Sequence, residues 1–214
     1  MLNFVAGEPL REILCLGAHS DDIEIGCGGT ILRLVAENPG LRVHWVVLSA
    51  EGDRADEARA SAQSFLDGAA EADTVIETFP ERFFPYEGAS IKRWFDGLGK
   101  RVTPQLVFTH RRDDVHQDHR TVAELTWNTF RDHLILEYEI PKWEGDLGRP
   151  NVFVPIDDEL AKRKIDLIMA GFRSQRDRYW FIPETFLAVL RLRGVEARAP
   201  SGLAEAFHGY KVLL

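Results

Sequence analysis

The sequence has few cysteines, no long apolar run and no excess of basic residues. Its two cysteines, Cys15 and Cys27, lie in apolar or glycine-rich contexts, so we expect reduced core thiols rather than a disulfide framework. No apolar run approaches the length of a membrane-spanning helix. The first ten residues have neither the basic start nor the apolar stretch of a signal peptide, so we expect a cytoplasmic protein.

Charge and composition narrow the class further. The 26 basic and 34 acidic residues give a net charge of −8, which argues against a nucleic-acid partner because such partners require a basic face. A content of 45% hydrophobic and 28% charged residues is typical of a globular protein. The length fits a single domain over residues 1–214. Composition leaves the formation of a homo-oligomer open.

Short apolar runs alternate with helical periodicities along the first two thirds of the chain. This alternation is typical of βαβ units, so we predict an α/β fold, a Rossmann-like three-layer sandwich with a mostly parallel sheet. The predicted strands cover residues 12–17, 42–49, 73–79, 105–109 and 134–140. The predicted helices cover about 28–37, 58–66, 91–102 and 119–130.

The C-terminal third has a different character and is predicted to elaborate the fold. Residues 141–151 are rich in proline, glycine and charge, which predicts a long loop. Asp157 can cap a helix with an apolar face that reaches Phe172. A last helix, about 184–193, is predicted to end at Gly194, and residues 207–214 are predicted to form a strand.

Two polar clusters each follow a predicted strand. His19-Ser20-Asp21-Asp22 follows the first strand, and His116-Gln117-Asp118-His119 follows the strand at 105–109. Because sites in open α/β sheets form at the carboxyl ends of strands, we expect the two clusters to lie close together.

These clusters contain the parts that a zinc hydrolase needs. Catalytic zinc takes three protein ligands and keeps a water in the fourth position. His19, Asp22 and His119 can supply three ligands to one ion per chain, and Asp21 remains free to take a proton from the water. His116 remains as a second free group. A water, a base and an acid are the requirements for hydrolysis of an amide.

The two clusters resemble the motifs of the PIG-L, or LmbE-like, zinc-dependent N-deacetylases. The first motif of that family is Ala-His-Pro-Asp-Asp, often followed by Glu and Gly-Gly-Thr, and the second is His-x-Asp-His. The chain has Ala18 to Asp22, then Glu24 and Gly28 to Thr30, and the second motif is at His116 to His119. Ser20 departs from the usual proline, which would stiffen the turn.

The resemblance implies specific roles for these residues. His19, Asp22 and His119 would bind zinc, and Asp21 would be the general base. His116 would stabilise the oxyanion or protonate the leaving amine, and Asp118 would orient His116. The implied substrate is a small-molecule N-acetyl sugar of the N-acetylglucosamine type, or a conjugate of one.

Other interpretations remain open at this point. A metallo-β-lactamase-type hydrolase has His-x-His-x-Asp-His, but here Asp114 stands at the first histidine and the first cluster would be unexplained. A non-catalytic sugar-binding module would have a damaged site, yet none of the expected residues is missing. The clusters could also merely cap helices. His110 could line the site or be an ordinary residue at a strand end; His44, His133 and His208 are taken as ordinary.

The segments expected to surround the site give hints about the substrate. Residues 79–88 and 138–151 carry aromatic side chains, which stack on sugar rings, among charged groups. Three arginines between residues 173 and 181 are interleaved with aromatic side chains and could receive an anionic group of the substrate. An ordinary solvated helix end packed by the aromatics is the slightly favoured interpretation of this segment. The residues are Arg173, Arg176, Arg178, Tyr179, Trp180 and Phe181.

Overall fold

The computed structural model describes residues 9–212, and seven strands form one sheet there. The strands are β1 (Glu12–His19), β2 (Arg42–Ser49), β3 (Glu71–Ile76), β4 (Leu106–His110), β5 (Leu134–Tyr138), β6 (Val152–Pro155) and β7 (Ala204–Gly209). Their order across the sheet is β3-β2-β1-β4-β5-β7-β6. The first five strands run parallel, and β7 pairs antiparallel with β5 and β6.

This architecture confirms the predicted α/β fold with a mostly parallel sheet. Residues 42–49 form a strand with the predicted limits, because the apolar run there is bounded by polar residues. Strand β6 was not predicted. It has four residues and lies at the edge of the sheet, so it carries little pattern of its own. The prediction of a single domain over residues 1–214 includes residues 1–8 and 213–214, which lie outside the described residues.

Among residues 9–212, six α-helices cover the two faces of the sheet. They are α1 (Asp22–Glu37), α2 (Asp53–Phe65), α3 (Gly88–Leu98), α4 (Gln117–Thr129), α5 (Asp158–Gly171) and α6 (Pro183–Ala197). Successive residues of β1 point to opposite faces. Ile13 and Cys15 pack in the core shared with α1, α2, α5 and α6, whereas Leu14 and Leu16 pack in the core shared with α3 and α4. The result is the expected three-layer arrangement, and both cysteines are buried free thiols.

The glycines of the first motif lie inside a helix, which corrects the predicted start of that helix. We expected a helix from about Gly28, but α1 begins at Asp22. A Cβ on Gly26 would lie 2.2 Å from the ring of Tyr138, and one on Gly28 would lie 2.6 Å from Phe65. The glycines therefore allow α1 to pack closely against the sheet and α2, rather than to turn.

The C-terminal third confirms one predicted cap and corrects another. The side chain of Asp157 accepts a hydrogen bond from the Leu160 N–H and caps α5, as expected. Helix α6 continues past Gly194 and ends at Ala197, because Gly194 packs against the backbone of Gly202 instead of ending the helix. The predicted strand at 207–214 is β7, which ends at Gly209, and residues 213–214 lie outside the described part.

The sheet topology brings both motifs to one edge. Strands β1 and β4 are adjacent and parallel, so the turn after β1 and the loop after β4 meet at their carboxyl ends. Within residues 9–212, no helix is long and apolar enough to cross a membrane.

Candidate metal centre and active site

Three side chains from the two motifs converge at the end of β1. His119 Nε2 lies 3.2 Å from His19 Nδ1 and 3.5 Å from Asp22 Oδ1, and His19 Nδ1 lies 3.4 Å from Asp22 Oδ2. All three residues are buried. Two imidazoles and one carboxylate are a donor set that zinc uses in catalytic sites, so these residues could hold one such ion.

Each of the two imidazoles is held by a carboxylate on its other nitrogen. His19 Nε2 lies 3.0 Å from Asp118 Oδ2, and His119 Nδ1 lies 3.0 Å from Asp114 Oδ2. Histidine ligands of metals are commonly oriented in this way, because the outer hydrogen bond fixes the tautomer and the ring. The arrangement therefore fits a metal better than it fits two ordinary histidines.

The position of Asp118 corrects the role expected for it. We expected its side chain to orient His116, but its carboxylate bonds His19 and the backbone N–H groups of Arg82 and Phe84. Asp118 therefore supports a candidate metal ligand. Asp114, which has no role in the family motifs, supports His119, the other histidine of the candidate ligand set. Its only signal in the sequence was a carboxylate five residues before His119.

At neutral pH the charge states of His119 and Asp22 suit a cation, whereas His19 must first lose a proton. Burial lowers the pKa of His119 to about 3, so its imidazole is neutral and able to bind a metal. Burial acts to lower the pKa of His19, but Asp22 and Asp118 outweigh it and raise the pKa to about 10. Burial acts to raise the pKa of Asp22, yet the neighbouring histidines hold it well below its usual range. A bound metal would have to displace one proton, that of His19.

Asp21 lies beside this cluster and lines the cleft above it. It occupies the N-cap position of α1 but makes no capping hydrogen bond through its side chain, so helix capping does not explain it. Burial and the adjacent Asp22 raise the pKa of Asp21 to about 6, while Arg54 opposes them. A carboxylate with a pKa near neutrality is suited to proton transfer.

His116 caps α4 and also reaches the cluster. Its Nδ1 accepts a hydrogen bond of 3.2 Å from the backbone N–H of Asp118, so the neutral ring carries its proton on Nε2. Burial and the charge of His19 lower the pKa of His116. We expected a protonated His116, and this environment instead favours a neutral ring that donates through Nε2. One nitrogen of His116 also lies within 4.8 Å of donor atoms of His19 and His119.

His110 is fully buried and lies against the candidate ligands. The ring stacks on His119 at 3.9 Å between centroids, and its Nε2 is 3.2 Å from Asp22 Oδ2. Although His110, Asp22 and His119 are close enough to share a metal, the Ala18 N–H already donates to His110 Nε2. We therefore assign His110 to packing behind the candidate ligands.

A cleft of about 220 Å³ opens over the cluster. The cleft is lined by both of the segments that were expected to surround the site. Segment 79–88 contributes Glu81 and Arg82, and segment 138–151 contributes residues that include Lys142 and Trp143. Of the arginine-aromatic segment, Arg178 and Trp180 line the cleft, whereas Phe181 is in the core. The cleft thus combines two indole rings with charged groups of both signs. Motif reasoning missed Arg54 and Lys142, since neither lies in a motif.

Comparison with known families identifies the chain. The family described as PIG-L: GlcNAc-PI de-N-acetylase matches residues 14–130, more than half of the chain. The protein belongs to this family, as the two motifs predicted. The match includes both motifs and all of the candidate ligands, and it decides against the metallo-β-lactamase class.

Solved structures share the fold over nearly the whole chain. N,N'-diacetylchitobiose deacetylase from Pyrococcus horikoshii has 20% identity and a TM-score of 0.73, covering 94% of this chain and 84% of its own. The 4-carboxy-2-hydroxymuconate hydratase GalB from Pseudomonas putida KT2440 has 18% identity and a TM-score of 0.76, covering 96% and 98%. A zinc-inhibited form of teicoplanin deacetylase Orf2 has 12% identity and a TM-score of 0.69, covering 92% and 97%. Because this fold serves both deacetylases and a hydratase, the function has to be argued from the site.

Proposed function

We propose that the protein is a zinc-dependent N-deacetylase that removes an acetyl group from an N-acetylglucosamine-type sugar or sugar conjugate. The observation that carries the proposal is the convergence of His19 Nδ1, His119 Nε2 and the Asp22 carboxylate within 3.2 to 3.5 Å of one another. The family match and the named activities of two structural neighbours support it.

In the proposed mechanism, Asp21 transfers protons and His116 stabilises the reacting carbonyl. When bound by His19, Asp22 and His119, zinc supplies Lewis acidity and lowers the pKa of a water to about 7. Asp21 accepts a proton from the water that attacks the acetyl carbonyl and can return it to the leaving nitrogen. His116 donates from Nε2 to the carbonyl oxygen as that oxygen gains negative charge. The products are acetate and the free amine.

The shape of the cleft supports a sugar as the substrate. Trp143 and Trp180 offer flat apolar faces, and the surrounding arginines, carboxylates and lysine can bond hydroxyl groups. A volume of about 220 Å³ is below the roughly 300–1,000 Å³ of most small-molecule sites, so a conjugate would extend out of the cleft. The enclosed part of the substrate is then the N-acetyl sugar itself.

A substrate screen tests this proposal. Zinc-loaded protein is incubated with N-acetylglucosamine, its 1-phosphate and N,N'-diacetylchitobiose, and both free amine and acetate are measured. We expect equal amounts of the two products with at least one substrate, and their loss with Asp21→Asn. Binding of these sugars without release of amine from any of them would instead favour the non-catalytic sugar-binding module.

A further inference from the structure

Helix α6 exposes apolar side chains on the side opposite its core contacts. Phe186 and Leu190 of its inner side are buried in the core. Leu187, Leu192 and Val195 are nevertheless 42%, 48% and 68% exposed. A surface helix normally has one apolar stripe and a polar opposite side, so a helix that is apolar on both sides is expected to be covered on both.

The exposed side chains form one continuous stripe, which we call the outer face of α6. At 3.6 residues per turn, positions 187, 188, 191, 192 and 195 lie on the same side of a helix. All five are exposed, and four of them are apolar: Leu187, Ala188, Leu192 and Val195. The stripe covers about two turns, so it is a patch rather than a set of scattered apolar residues.

The inner side of α6 fixes the orientation of this face. The buried Arg193 donates from Nε to Glu139 Oε2 at 3.0 Å and from Nη2 to the same oxygen at 2.7 Å. Gly194 packs so closely on the turn before β7 that a Cβ on it would lie 2.1 Å from the Gly202 carbonyl oxygen. A surface held in this way loses little conformational entropy when it binds a partner.

The charges around the outer face are placed at its two ends. Glu184 lies in the first turn of α6 and Arg198 directly follows the last turn, and both are exposed. They are about 21 Å apart along the helix. Arg191, midway between them, donates from Nη1 to the carbonyls of Ser201 and Gly202 at 3.2 Å each. Its guanidinium is thus bound to that turn, and the face has an acidic end, an apolar middle and a basic end.

We propose that the outer face of α6 binds the same face of a second copy of this chain, with the two helices antiparallel about a two-fold axis near Arg191. In this arrangement Glu184 of each copy lies opposite Arg198 of the other. The small Ala188 lies opposite Val195, so the apolar parts can approach closely.

Charge complementarity favours a second copy over an unrelated partner. A two-fold interface must be complementary to itself, and a face with opposite charges at its two ends meets this requirement when the helices are antiparallel. Two chains with a net charge of −8 repel each other at long range, so the two ion pairs also select the register. The face lies outside the cleft, and the inference therefore does not depend on the proposed function.

Charge reversal with rescue tests the proposed pairing. Sedimentation equilibrium of the whole protein in the micromolar range should give twice the 24.3 kDa of one chain. Glu184→Arg or Arg198→Glu alone should weaken dimerisation by about 10-fold or more, because each places two like-charged pairs across the interface. The double variant should restore the dimer. Glu159→Arg is the matched control, because it reverses an exposed acidic residue in the first turn of α5 and should leave the dimer intact.

Val195→Glu tests the apolar middle of the face and should give a monomer. Circular dichroism of each variant checks that the fold is retained, and if Val195→Glu does not fold, the charge reversals at the exposed ends decide. A wild-type protein that is monomeric throughout this range overturns the inference. So does an assembly of any size that both single charge reversals leave unchanged, or a double variant that stays dissociated.

Discussion

Replacement of Asp118 by asparagine tests the outer support of the candidate metal centre. The carboxylate accepts hydrogen bonds from His19 Nε2 at 3.0 Å, from the Arg82 N–H at 2.6 Å and from the Phe84 N–H at 3.2 Å. Asparagine has the same shape but one acceptor oxygen, so its amide group must face at least one of these donors. If the N–H group of the asparagine amide faces His19 Nε2, that nitrogen has to accept the hydrogen bond. The proton of the neutral ring is then on Nδ1, which cannot bind a metal.

The magnitude follows from the type of contact that is lost. Loss of an outer carboxylate typically lowers metal affinity by about 10- to 100-fold, or about 1.4 to 2.7 kcal/mol. Competition for zinc with a chromophoric chelator measures this affinity directly. Asp113→Asn is the matched control, because Asp113 is an exposed carboxylate of the loop that precedes α4. The reasoning is refuted if Asp118→Asn keeps wild-type zinc affinity and only turnover falls, since Asp118 would then act on the chemical step.

Three further predictions follow from the site and the fold. His116→Ala should retain zinc but lose about 2.7–4 kcal/mol of stabilisation of the reacting carbonyl, seen as a lower kcat; loss of zinc would show that His116 is a ligand. Zinc affinity should rise about tenfold per pH unit between about pH 7 and 9, because His19, with a pKa near 10, must release its proton; calorimetry in buffers of different ionisation enthalpy counts that proton, and a count of zero contradicts the assignment. Gly26→Ala should destabilise the fold by about 1–3 kcal/mol, because its Cβ would meet the Tyr138 ring; an unchanged urea midpoint would show that α1 can shift.

The sequence predicted the elements whose pattern is local. The run at 42–49 and the helix capped by Asp157 could be read from a few neighbouring residues. The start of α1 could not, because Gly26 and Gly28 look like helix breakers until Tyr138 and Phe65 are placed against them.

The same limit applies to the site. The candidate ligands were predictable because the motifs place them at two strand ends, and the structure brings them together. The contact between Asp118 and His19 was not predictable. The Asp118 carboxylate is also held by the backbone N–H groups of Arg82 and Phe84, which lie 36 and 34 residues away in the sequence. The contact between Arg54 and Ser20 likewise depends on how α2 packs beside the first motif.

A crystal structure of the zinc-loaded protein, with anomalous scattering measured at the zinc edge, tests the central claim most directly. We predict one anomalous peak per chain, at about 2.0–2.2 Å from His19 Nδ1, His119 Nε2 and an Asp22 oxygen. A second peak of equal height, or a single peak bound by His116 or His110 in place of His19, would contradict the account.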